Sequence, residues 1–118
     1  MAKETFLIVD DSRLARMMIR AFIEANRDDL EVIEAANAEE ALEKASVAVI
    51  DSITLDYNMP GMNGLELAQQ LQQRYPLAKM GLFTANAQDS IRKRTEDMGI
   101  IFIVKPITEE KVVEFLNA

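Results

Sequence analysis

Short apolar runs alternate along this chain with longer stretches in which apolar residues return every three or four positions. Phe6-Leu7-Ile8-Val9 is apolar at both phases of a two-residue period and stops at Asp10-Asp11-Ser12. Such a run predicts a central parallel strand, covered on both faces, rather than a half-wet edge strand. From Leu14 to Asn26 the period lengthens: Leu14, Met18 and Phe22, with Ala15, Ile19 and Ile23 beside them, predict an amphipathic helix capped by Ser12 or Asp11. Glu31-Val32-Ile33-Glu34-Ala35 alternates with acids and predicts a second, shorter strand nearer an edge. Asn37 then caps a small helix, with Glu40 in capping-box position and Ala41, Leu42 and Ala45 as its apolar stripe.

The second half repeats the rhythm. Ile53 and Leu55 lead into Asp56 as a third strand, and Pro60-Gly61 breaks the chain. Asn63-Gly64 opens a third helix marked by Leu65, Ala68 and Leu71, which Pro76 stops after Tyr75. Met80 to Thr84 predicts a fourth strand, Gln88 to Met98 a helix closed by Gly99, and Ile100 to Val104 a fifth strand ended by Lys105-Pro106. Thr108 caps a last helix, with Glu109 and Glu110 in its first turn and Val112, Val113 and Leu116 as its buried side. Strands alternating with helices predict an α/β fold with a parallel sheet covered on both faces. The doubly wound order 2-1-3-4-5, flavodoxin-like with five helices, fits best because it puts the most apolar runs inside.

Composition narrows the function. At 118 residues the chain is expected to be one domain over residues 1–118, with 49% hydrophobic and 28% charged residues and no linker or repeat. Its formal net charge of −7, from 20 acids against 13 bases, argues against general nucleic-acid or anionic-membrane binding and suits a cation site. There is no cysteine and no histidine, which removes disulfides, thiol chemistry, imidazole zinc sites and the usual general base. No apolar run approaches the roughly 18 residues of a membrane span, and a cytoplasmic location is expected.

The candidate chemistry lies at the strand ends. The first strand ends in Asp10 and Asp11, the third in Asp56, the fourth in Thr84 and the fifth in Lys105. In an open α/β sheet ligands bind outside these carboxyl ends, where the winding reverses. Taken singly, an Asp-Asp pair is a helix cap, Asp56 a turn acid and Lys105 a surface lysine. Their coincidence at successive strand ends is what points to a site. Three carboxylates together need a cation to remain ionised, and an oxygen set of this kind suits Mg2+. A lysine and a hydroxyl beside a metal-held acid would suit the oxygens of a phosphoryl group.

Leu7-Ile8-Val9-Asp10-Asp11, then Asp51 through Gly64, then Phe83-Thr84-Ala85 and Lys105-Pro106 together resemble the receiver domain of two-component response regulators, the CheY-like family, over nearly the whole chain. The resemblance implies that Asp56 accepts a phosphoryl group from a histidine kinase or phosphotransfer protein. It implies that Asp11, Asp56 and the backbone carbonyl of Asn58 bind Mg2+, with Asp10 assisting through water. Lys105 would pair with the carboxylate and phosphoryl oxygens, Thr84 would hydrogen-bond the phosphoryl group, and Phe102 stands at the switch aromatic. A stand-alone receiver is expected, which catalyses only its own phosphorylation and dephosphorylation and signals to a separate partner through its fourth helix, fifth strand and fifth helix. Two alternatives stay open: an aspartyl-phosphate phosphatase, against which Asn58 counts because an acid would be needed there, and a phosphorylation-independent interaction module.

Overall fold

The structure is a computed structural model, and it describes residues 3–118. Ten elements follow in strict alternation: β1 (Glu4–Val9), α1 (Arg13–Asn26), β2 (Leu30–Ala35), α2 (Ala38–Ala45), β3 (Ser52–Leu55), α3 (Gly64–Arg74), β4 (Lys79–Thr84), α4 (Asp89–Asp97), β5 (Ile101–Val104) and α5 (Glu109–Leu116). The strands form one parallel sheet in the order β2-β1-β3-β4-β5, as the apolar pattern predicts. Two edges result, and their burial differs from that of the centre. β3 and β4 are buried along nearly their whole lengths, whereas every residue of β5 is only half-buried because one side has no neighbouring strand.

Alternation along β1 divides the core into two layers. Leu7 and Val9 point into a cluster with Ala41, Ile53, Leu55, Leu67 and Leu71, formed under α2, α3 and α4. Phe6 and Ile8 point the other way, into a cluster with Ile19, Ile23, Phe83, Val112 and Phe115 under α1 and α5. Both faces are therefore dry, which is what a run without polar alternation requires.

Local signals set the helix ends. Ser12 accepts from the Ala15 amide, Asn37 from Glu40 and Thr108 from Lys111, each with extended backbone at the cap. Asn63 and Glu66 form a reciprocal capping box at the start of α3. Two apolar stripes differ from expectation. Leu14 is 66% exposed, because α1 turns Ala15, Ile19 and Ile23 to the sheet. On α5, Val112 and Phe115 are the buried positions, while Val113 and Leu116 are only partly covered. Phe115 packs edge-on against Phe6 with ring centroids 5.7 Å apart. It also fills the space that a side chain at position 81 would need, as a Cβ on Gly81 would lie 2.7 Å from its ring.

Candidate functional site

The parallel register brings the ends of β1 and β3 side by side, with Val9 opposite Leu55. Asp10 and Asp56 therefore emerge next to each other, and the Asp56 amide donates to the Val9 carbonyl at 3.0 Å. Asp10 and Asp56 are buried and Asp11 is exposed, yet one carboxylate oxygen of each lies within 4.8 Å of the others. β5 carries Lys105 in from the far side, past β4. Its amide donates to the Thr84 carbonyl at 2.9 Å, and its Nζ reaches Asp10 Oδ2 at 3.0 Å and Asp56 Oδ2 at 3.3 Å. The Lys105–Pro106 peptide is cis.

Thr84 is fully buried at the end of β4, where its Oγ1 accepts from the Asn86 amide at 3.0 Å. Asn58 is exposed in the loop after β3. That loop is held by α3: the Gly64 amide donates to the Tyr57 carbonyl at 2.9 Å. A Cβ at position 64 would lie 2.1 Å from the Asp56 carbonyl oxygen, so only glycine lets the first turn of α3 come this close beneath the acid.

Charge in the site is unbalanced, and the ionisation of its members records this. Burial pushes the Asp10 carboxyl above its ordinary value of 3.8; the Ser12 amide and Lys105 oppose the shift, and the Asp56 charge adds to it. For Lys105 burial acts downward. The hydrogen bonds and charges of Asp10 and Asp56 outweigh it and hold the ammonium above its ordinary value of 10.5. Three carboxylates share one ammonium here, so the site is short of positive charge.

A divalent cation would supply that charge, and the donors present suit a hard one. Mg2+ takes oxygen ligands at about 2.1 Å and spans roughly 4.2 Å between opposite oxygens. The carboxylate spread of 4.8 Å is within a small side-chain adjustment of that span. The chain has no cysteine thiolate or imidazole to favour a softer metal.

Sequence reasoning missed three residues that hold this site. Arg16 donates from Nη1 to the Asp10 carbonyl at 2.6 Å and from Nε to Glu34 Oε1 at 3.1 Å. Lys111 Nζ donates to the Val104 carbonyl at 2.6 Å and the Pro106 carbonyl at 3.3 Å, on either side of Lys105. Gly64 is the third. Spacing held a signal only for the first: Arg16 and Arg20 share one face of α1 at i,i+4, opposite a strand that alternates with acids.

A doubly wound parallel sheet with paired acids, a lysine and a hydroxyl outside its carboxyl end places this chain in the class of open α/β folds that bind ligands at that edge. The response regulator receiver domain model matches residues 6–117, and the chain belongs to that family. It is 39% identical to the chemotaxis protein CheY of Listeria monocytogenes over 117 residues, covering 94% of this chain and 93% of that one. It is 37% identical to CheY of Thermotoga maritima, with 94% and 92% coverage. Among solved structures, CheY4 of Vibrio cholerae superposes with a TM-score of 0.83 at 30% identity, covering 98% and 97% of the two chains. The CheX–CheY–BeF3–Mg2+ complex of Borrelia burgdorferi contains a chain similar at TM-score 0.86 and 28% identity, with 96% and 86% coverage. CheY-like receivers are signalling modules, and this chain is one by family. Among the described residues no helix is long and apolar enough to cross a membrane.

Proposed function

We propose that this receiver takes a phosphoryl group on Asp56 from the phosphohistidine of a partner kinase or phosphotransfer protein, in the cytoplasm and with Mg2+ bound. The observation that carries the reading is the convergence of the Asp10, Asp11 and Asp56 oxygens within 4.8 Å beside the Lys105 ammonium. One Asp56 oxygen attacks phosphorus in line; the phosphorus–oxygen bond forms as the phosphorus–nitrogen bond breaks, and the imidazole departs with that electron pair. Asp10, Asp11, Asp56 and the Asn58 carbonyl would hold the metal, which when bound offsets negative charge on the phosphoryl oxygens. Lys105 pairs with the same oxygens, and Thr84 donates its hydroxyl to one of them.

Phosphorylation adds roughly one to two negative charges at the end of β3. Thr84 turning toward them gives up its contact with the Asn86 amide and loosens the β4–α4 connection. Phe102, half-buried on β5 with the Arg92 guanidinium 4.6 Å above its ring, would repack in response. The face made by α4, β5 and α5 would change with it, and a separate partner protein reads that change.

Acetyl phosphate with Mg2+, followed by intact mass, tests this directly. One added phosphoryl group, labile to hydroxylamine and absent from Asp56→Asn, is the expected result. A label that persists on Asp56→Asn at the same rate moves the acceptor elsewhere. No label on the wild-type chain favours a phosphorylation-independent interaction module.

A further inference from the structure

We infer that Arg16, braced by Glu34, is a positioning residue for Mg2+ binding, acting by fixing the peptide that joins Asp10 to Asp11. The inference rests on the Mg2+ reading above and deepens it. Asp10 is held at every polar group it has. Its amide donates to the Ala35 carbonyl at 3.1 Å, its Oδ1 accepts from the Ser12 amide at 2.9 Å, and its Oδ2 accepts from Lys105. None of these ties orients the peptide plane that follows. The Arg16 bond to the Asp10 carbonyl, at 2.6 Å, does.

Asp11 depends on that plane. It is exposed, and its carboxylate makes no hydrogen bond or ion pair among the described residues, so its direction is inherited from its backbone. Rotation about the Asp10 Cα–C bond that Asp11 φ does not compensate would turn the Asp11 Cα–Cβ bond away from the other two acids, and the Arg16 bond to the Asp10 carbonyl opposes that rotation. Asp10 would stay anchored meanwhile.

Arg16 is itself fixed. Its side chain is only 15% exposed, and Nε is paired with Glu34 Oε1 at 3.1 Å. The second Glu34 oxygen accepts from Arg20 Nη1 at 2.5 Å, and Arg20 Nη2 donates to the Val32 carbonyl at 3.0 Å. The end of β1 is thus braced to β2 through Arg16, and Arg20 holds the Glu34 carboxylate from its other oxygen. A planar guanidinium holds a carbonyl and a carboxylate from different nitrogens in one rigid fork, a geometry that the single flexible ammonium of a lysine does not reproduce.

Coulomb forces alone give the opposite expectation. Arg16 is a cation near three carboxylates, so its removal should tighten Mg2+ binding if charge were its only contribution. A role confined to stability would lower the melting temperature and leave the affinity of the folded protein unchanged. Positioning predicts weaker binding, and outer partners of metal ligands typically affect affinity by about 10- to 100-fold.

The test is Mg2+ titration by calorimetry on the full chain, with folding of each variant checked by circular dichroism. Arg16→Ala is expected to bind Mg2+ roughly tenfold more weakly, with Arg16→Lys between it and the wild type. A folded Arg16→Ala that binds Mg2+ as tightly as the wild type, or more tightly, overturns the inference. Should Arg16→Ala fail to fold, Arg16→Lys decides, and wild-type affinity there overturns it. If the wild-type chain binds no Mg2+, the functional reading fails separately. The positioning claim then stands or falls on the metal-free Asp11 amide, whose nitrogen belongs to the peptide in question. Its resonance should shift or broaden in Arg16→Ala, and an unchanged resonance refutes the brace.

Discussion

Replacing Lys105 by Met separates the two roles of its ammonium, because the apolar stem stays and only the charge leaves. Its Nζ lies 3.0 Å from Asp10 Oδ2 and 3.3 Å from Asp56 Oδ2, with the lysine side chain 20% exposed and that of Asp10 1% exposed. Removing one partner of a buried pair costs about 3–5 kcal/mol, since the other charge is left without compensation. The site's partial opening to solvent reduces this to roughly 2–3 kcal/mol at neutral pH. Over an ordinary urea slope, that is a midpoint lowered by about 1–2 M.

The pH dependence follows from Asp10. Burial already raises its carboxyl above 3.8, and loss of Lys105 raises it further. An acid raised in the folded state contributes stability that is fully present below its unfolded pKa and lost as pH rises through its folded pKa. The deficit of Lys105→Met should therefore be full at pH 7 and shrink as pH falls towards the ordinary carboxylate range. Mg2+ replaces the missing charge, and without a competing ammonium it should bind more tightly. Stabilisation at a hundredfold excess over Kd is about 2.7 kcal/mol, so the metal should restore most of what the mutation removes. Urea unfolding at pH 7 and at acid pH, with and without Mg2+, measures all three effects. A variant as stable as the wild type at pH 7, with no larger response to Mg2+, would refute this account of the site.

Three further outcomes are expected. Thr54 Oγ1 is buried with no hydrogen-bond partner, so Thr54→Val should gain about 1 kcal/mol, read as a melting temperature raised by about 4 °C; a loss of stability would show that the hydroxyl is satisfied. Gly64→Ala forces a Cβ against the Asp56 carbonyl at 2.1 Å and should cost about 2–3 kcal/mol, with slower acetyl-phosphate labelling of the folded fraction; normal rate and stability would place Asp56 outside this constraint. Burial acts upward on Glu34, but Arg20 and Arg16 outweigh it and keep its carboxyl below the ordinary 4.5. Its stabilising contribution is present above that value and lost as pH falls through the lower folded value, so Glu34→Gln should flatten the acid limb of a stability–pH curve below pH 4.5; an unchanged limb would mean that the pair contributes nothing.

The order of elements, the sheet topology and the residues at the strand ends were legible in the chain itself. Each rests on a local signal: the four-residue apolar run of Phe6 to Val9, the helix starts at Asn37, Asn63 and Thr108, and acids where buried strands stop. Local signals of this kind survive because backbone hydrogen bonding and burial impose the same periods on any parallel sheet. Which face of a helix wins was not settled locally. The α1 pattern admits Leu14 and Ala15 equally, and the sheet's position selects Ala15. Phe115 rather than Val113 is buried because Gly81 on β4 leaves a space the size of a ring, a fact about two segments far apart in sequence. The site divides in the same way. That Asp10, Asp11, Asp56 and Lys105 belong together can be read from their positions at strand ends. The tertiary structure alone decides that Arg16 reaches the Asp10 carbonyl and that α3 must begin with a residue lacking a Cβ. Those contacts depend on distances between elements, which the packing of both core layers sets and no local pattern records.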